Sequence, residues 1–98
     1  MNIKTYKITE NDIEYDVLEY EDGDCYWYIG NDNHRESGPC VTRLNGSWEW
    51  KWYGKPHRAD GPAVRHSNGD CFWIYEGELI DCTTQEQFEQ YLKLKAFW

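Results

Sequence analysis

Asp22-Gly23-Asp24-Cys25-Tyr26-Trp27, Asn45-Gly46-Ser47-Trp48-Glu49-Trp50 and Asn68-Gly69-Asp70-Cys71-Phe72-Trp73 stand 23 residues apart and align without a gap. Each opens on Asp-Gly or Asn-Gly ahead of a run of β-forming residues. That is a strong hairpin signal, because a tight hairpin turn needs the positive φ that Gly and Asn tolerate. Gly23, Gly46 and Gly69 are therefore turn residues. Farther along the same rows, His34-Arg35-Glu36-Ser37-Gly38-Pro39 falls on His57-Arg58-Ala59-Asp60-Gly61-Pro62, followed by Cys40-Val41 and Ala63-Val64. The third row has Ile80-Asp81-Cys82 there, so the motif is lost at the end. The first begins early, with Val17-Leu18 in the slot of Val41 and Val64. Degenerate first and last copies are what capping repeats look like.

From this register the chain reads as mainly β. The expectation is an antiparallel sheet of roughly eight strands built from tandem 23-residue β-hairpin repeats, closed by a short C-terminal α-helix. The Gly-Pro pairs mark the connections between hairpins, since proline lacks a ladder donor. Trp48, Trp50 and Trp52 stand at i, i+2 and i+4, which places them on one face of a strand. Residues 3–8 and 13–20 read as two further strands around the polar turn Glu10-Asn11-Asp12. Thr83-Thr84-Gln85-Glu86 fits a capping box, and Phe88, Tyr91 and Leu92 follow at helical spacing. The expected division is an N-terminal strand and acidic turn over 1–14, three hairpin repeats over 15–82 and a helix over 83–97, all in one domain.

A chain of 98 residues buries a modest fraction of its surface, so any functional site is expected at the surface. Aromatics make up 17% of residues and mean hydropathy is −0.93, so rings rather than Leu or Ile must supply the core. The net charge of −8 argues against direct binding to nucleic acid or an anionic membrane, both of which need Lys and Arg. The N-terminal stretch lacks the apolar run of a signal peptide and no membrane-spanning run is present, which gives a cytoplasmic location as the expectation. Cys25, Cys40, Cys71 and Cys82 form no C-x-x-C pair and read as free, small hydrophobes of a reducing compartment. Cys25 and Cys71 share a column two units apart, about 19 Å at four strand spacings, too far for a disulfide.

Trp52-Tyr53-Gly54-Lys55-Pro56-His57-Arg58-Ala59-Asp60-Gly61-Pro62-Ala63-Val64, continuing to Asn68-Gly69 and Trp73, resembles the MORN-variant repeat. In particular it is similar to the His-Arg-x-Asp-Gly-Pro-Ala-Val form common in small proteins of bacteriophages, large viruses and some bacteria. The likeness covers residues 15–82. It implies a non-catalytic scaffold for protein or lipid contact, in the host cytoplasm if the chain is phage-encoded, and the acidic charge disfavours lipid.

Glu10, Asp12, Glu14, Asp16, Glu19, Glu21, Asp22 and Asp24 fall in a segment without Lys or Arg, and the rest of the chain balances at ten acids against ten bases. Such a strip is either a solvated face or a contact for a basic protein surface, which it would steer into place. On the second reading the chain is a protein-binding module. As a phage-type inhibitor of a host defence or nucleic-acid-processing protein, it would act as a nucleic-acid mimic, with carboxylates where phosphates would lie. Trp27, Trp50 and Trp73 form one repeat column beside His34, Arg35, His57 and Arg58. The column is either core or a platform on which a small molecule or nucleotide stacks. Likewise the His-Arg pairs either hold the Gly-Pro turns or contact a ligand. Cys25, Cys71, His34, His57 and His66 lack the spacings of a zinc site, and Ser67 and His66, as adjacent strand residues, point apart. No metal, cofactor or enzymatic activity is expected, and the oligomeric state is left open.

Overall fold

The computed structural model describes residues 2–96; Met1, Phe97 and Trp98 lie outside the described residues. Two long strands, β1 (Ile3–Glu10) and β2 (Ile13–Tyr20), pair in full antiparallel register from Ile3 opposite Tyr20 to Glu10 opposite Ile13. Their two-residue turn holds Asn11 and Asp12 at φ 51° and 66°, values these residue types accept more readily than most. Glu10 thus ends the strand and is not part of the turn.

Short strands follow: β3 (Cys25–Ile29), β4 (Asp32–Asn33), β5 (Val41–Thr42), β6 (Trp48–Glu49), β7 (Lys51–Trp52), β8 (Lys55–Pro56), β9 (Val64–Arg65), β10 (Cys71–Phe72), β11 (Ile74–Tyr75) and β12 (Glu78–Leu79). The main sheet has eight strands in the order β1-β2-β3-β5-β6-β9-β10, with β4 also on β3. The repeat is visible in its register. Leu18 faces Tyr26, Val41 faces Glu49 and Val64 faces Phe72, each pair one 23-residue step from the last. Gly23, Gly46 and Gly69 have φ of 103°, 91° and 94°, as their turns require. Four steps in strand order separate Cys25 from Cys71, and the four cysteines are free thiols.

Each unit also contains a second hairpin that the repeat reading did not resolve. In the middle and third units it leaves the main sheet as a separate two-stranded ribbon, β7-β8 and β11-β12. The strand breaks at Trp50 and again at Trp73, so Trp48 and Trp52 belong to different sheets and the three tryptophans do not line one continuous strand. These ribbons turn on Tyr53-Gly54 and Glu76-Gly77, with φ positive at both positions of each.

The helix, α1 (Gln85–Lys95), spans three turns and starts two residues after the expected 83; of the expected end at 97, Phe97 lies outside the described residues. Its N-cap is Thr84, which accepts from Gln87 N, while the Gln87 side chain accepts from Thr83 N at 2.8 Å. The cap is therefore one residue later than Thr83 and Glu86 would give. Lys93 and Lys95 in the last turn suit the negative end of the helix dipole.

The molecule measures 46 × 32 × 18 Å, and 18 Å leaves room for the sheet and one further layer. Most buried hydrophobic side chains gather at the two ends, with Ala63 buried between them. One core joins Tyr15, Val17, Trp27, Cys40 and Val41; the other joins Trp73 and Ile80 to Phe88 of the helix. Trp50, in the middle unit, belongs to neither.

Candidate functional site

In the first two units an arginine sits over the ring of the tryptophan of its own row. The Cζ of Arg35 is 3.8 Å from the Trp27 ring centroid and that of Arg58 is 3.9 Å from Trp50. The glycine of Gly-Pro makes room for the arginine. A Cβ on Gly38 would lie 2.9 Å from Arg35 Cζ, and one on Gly61 2.7 Å from Arg58 Cζ. Nη1 of each arginine donates to the proline carbonyl, Pro39 at 3.3 Å and Pro62 at 3.2 Å. Arginine thus binds the connection between hairpins to the aromatic column.

The histidine ahead of each arginine ties one unit to the next. His34 Nδ1 accepts from Tyr53 N at 2.9 Å, and His57 Nδ1 accepts from Glu76 N at 2.7 Å. Both donors are positive-φ turn residues, so the histidine satisfies an amide that the ribbon ladder leaves over. The rings continue as a row: His34 to Tyr53 at 4.2 Å, Trp52 to His57 at 5.0 Å and His57 to Tyr75 at 4.8 Å. His34 is fully buried with Nε2 3.2 Å from Glu36. His57 is half-buried, and burial pushes its pKa below the ordinary imidazole value, with the Glu76 carboxylate opposing.

What differs between units is what lies over them. At the first, Tyr15 packs edge-on to Trp27 (5.4 Å) and parallel to His34 (6.3 Å), and its hydroxyl accepts from Glu36 N at 3.2 Å. Beside it, Glu10 takes both Nε and Nη2 of Arg35, at 3.1 and 2.9 Å, and accepts from Ser37 at 2.6 Å. Those bonds hold the Glu10 carboxyl below its usual pKa. At the third unit the helix supplies the cover: Phe88 packs on Trp73 and Ile80, and Gln85 accepts from Trp73 Nε1 at 2.8 Å. Over the middle unit lies an open groove of about 780 Å³, walled by Trp50, Trp52, His57 and Tyr75 and bordered by Arg58 and Ala59. Its rim carries Glu36, Asp60 and Glu76 with Lys55. Asp60 itself takes Arg58 Nε at 2.7 Å.

Of the aromatic and basic residues singled out from sequence, Trp50, His57 and Arg58 come together at this groove. Trp27 and Trp73 are 7% and 8% exposed and serve as core, His34 is interior, and Arg35 is held by Glu10. The acidic residues also divide. Glu14 and Asp16 share Lys7 at 3.3 and 3.0 Å on the outside of the hairpin, and Asp12 is exposed in its turn. Glu21 is exposed and accepts from Asn2 N at 3.4 Å, and Asp22 accepts from Asp24 N at 3.0 Å. Glu19 accepts from Tyr6 at 2.9 Å, and Asp24 accepts from Leu44 N at 3.0 Å, tying the first glycine turn to the second. Glu10 points inward.

Sequence reasoning missed Tyr15 as a cover and the arginine-on-tryptophan stack. The stack had a signal, since Trp27 and Arg35 are spaced as Trp50 and Arg58 are. Tyr15 had none, because it lies ahead of the repeated motif. No family model, curated protein or solved structure matches the chain. Among the described residues no helix is long and apolar enough to cross a membrane.

Proposed function

We propose that the chain is a non-catalytic binding module for a basic protein surface, docking through the outer carboxylates of the β1–β2 hairpin and the turn after it. The observation that carries this is the location of the charge. The excess of −8 arises within residues 10–24, which run along β2 and both of its turns. Lys4 and Lys7 offset only part of it, leaving −6 over residues 3–24. Asp12, Glu14, Asp16, Glu21 and Asp22 form the contact; Glu10, Glu19 and Asp24 hold the fold around it. Carboxylates spread over an eight-residue hairpin, about 26 Å long, suit a basic groove that otherwise takes nucleic acid. The resemblance to MORN-variant repeats of phages and large viruses supports an inhibitor of that kind. The small-ligand reading draws support only from the groove where Trp50, His57 and Arg58 meet, and the three carboxylates there disfavour phosphate.

The test is capture from an extract of the source cells with the parent chain and a Glu14→Lys, Asp16→Lys, Glu21→Lys variant side by side. A basic protein should be retained by the parent, released by salt and lost from the variant, with equal melting temperatures for the two baits. Identical, salt-insensitive capture by both would sink the proposal.

A further inference from the structure

Both ends of the array are closed by an aromatic side chain that the 23-residue pattern does not repeat, Tyr15 at one end and Phe88 at the other. The middle unit has the same parts without a cover. Trp50, His57, Arg58 and Ala59 stand 23 residues after Trp27, His34, Arg35 and Glu36, the residues that Tyr15 and Glu10 engage. Gly38 stands 23 residues after Tyr15, so the register supplies no side chain in its place.

We infer that the middle groove is a docking site for one tyrosine side chain of a protein partner, the counterpart of the site that Tyr15 fills within the chain. The ring would lie edge-on to Trp50 and face His57, with its hydroxyl at Ala59 N–H, the counterpart of the Glu36 N–H. An extended peptide is the fitting carrier. Tyr15 arrives on a strand, and about 780 Å³ exceeds what a ring alone fills. Asp60 already occupies Arg58 Nε, so the carboxylate that Glu10 brings to Arg35 is not needed. Three rim carboxylates against Lys55 and Arg58 make neutral or basic residues the suitable neighbours of that tyrosine. That the ring belongs to a protein rests on the binding-module reading; the groove does not.

The experiment is an NMR titration of ¹⁵N-labelled chain with N-acetyl-tyrosinamide, compared with the phenylalanine and lysine analogues. Saturable shifts are expected at the Trp50 indole and the Ala59 amide. The phenylalanine analogue should bind about fivefold more weakly for want of the hydroxyl's hydrogen bond. Ala59→Trp, at an exposed position on the groove wall, should reduce binding at least about tenfold by filling the site, with the melting temperature unchanged. Absence of saturation, equal binding of the phenylalanine analogue, indifference to Ala59→Trp or preference for the lysine analogue would each overturn the inference. The probe needs no partner, so its failure leaves the acidic-surface reading standing. Failure to capture a basic protein likewise leaves the groove.

Discussion

Replacing Gly61 by alanine tests whether arginine binds the units together. The added methyl would stand 2.7 Å from Arg58 Cζ, 2.8 Å from Nη1 and 3.0 Å from Nε, all well inside van der Waals contact. The backbone there is outside the left-handed region, so alanine meets no torsional penalty and the guanidinium has to lift. Lifting removes the stack on Trp50, about 0.5–2 kcal/mol, and the bond to the Pro62 carbonyl, about 1.5–3 kcal/mol for a charged donor. Reduced freedom of the unfolded chain returns about 0.4–1 kcal/mol, and a displaced arginine recovers some hydration. The net cost is about 1–3 kcal/mol, or roughly 4–8 °C of melting temperature per kcal/mol for a domain of this size. The assay is a double-mutant cycle by thermal melt, with Gly61→Ala made in the parent and in an Arg58→Met background. Without the guanidinium the alanine should be neutral or stabilising. An equal cost in both backgrounds would show that the glycine serves the backbone and that the reasoning is wrong.

Three further outcomes follow from the same geometry. Because burial lowers the His57 pKa and its Nδ1 must stay unprotonated for Glu76 N, the stabilisation is complete above about 6.5, the unfolded value, and is lost as pH falls through the lower folded value. The fall in melting temperature between about pH 7 and about pH 5 should therefore be steeper for the parent than for His57→Gln, and equal slopes would refute it. His34→Ala should cost about 2–4 kcal/mol in urea unfolding, against about 1 kcal/mol for His57→Ala, since His34 is fully interior and its loss leaves Tyr53 N unpaired. A reversed order would contradict this. Cys40 is fully buried, with its thiol pushed up to about 11, so it should resist alkylation in the native protein while the half-buried Cys25, Cys71 and Cys82 react. All four should react once urea is added.

The repeat register, the glycine turns and the terminal helix could be read from sequence because each rests on local backbone requirements. Asp-Gly and Asn-Gly announce positive φ, and a 23-residue offset brings Val41 and Val64 to equivalent ladder positions. The ribbon turns were harder, since Tyr53 and Glu76 hold φ of 46° and 52° that their own side chains do not favour; only the glycine after each hints at it. The division of the acidic segment was hidden for another reason. That Glu10 turns inward depends on Arg35, 25 residues on, and that Glu14 and Asp16 share Lys7 depends on pairing across β1 and β2. A charge sum sees the segment but not these partners. The open groove is likewise a difference between units that are nearly alike in sequence, set by what the β1–β2 hairpin and α1 cover.

The histidine of each His-Arg pair reaches forward to an amide of the following unit, so a unit in the interior is completed by its neighbour. The two closing devices, hairpin and helix, serve the ends alone. Duplicating the middle unit would therefore add a groove without demanding a new closure, and the number of exposed sites would equal the number of units less two. Successive sites would stand about 10 Å apart, two strands along the sheet. In this architecture valency is set by the number of units, and an array of three units is monovalent.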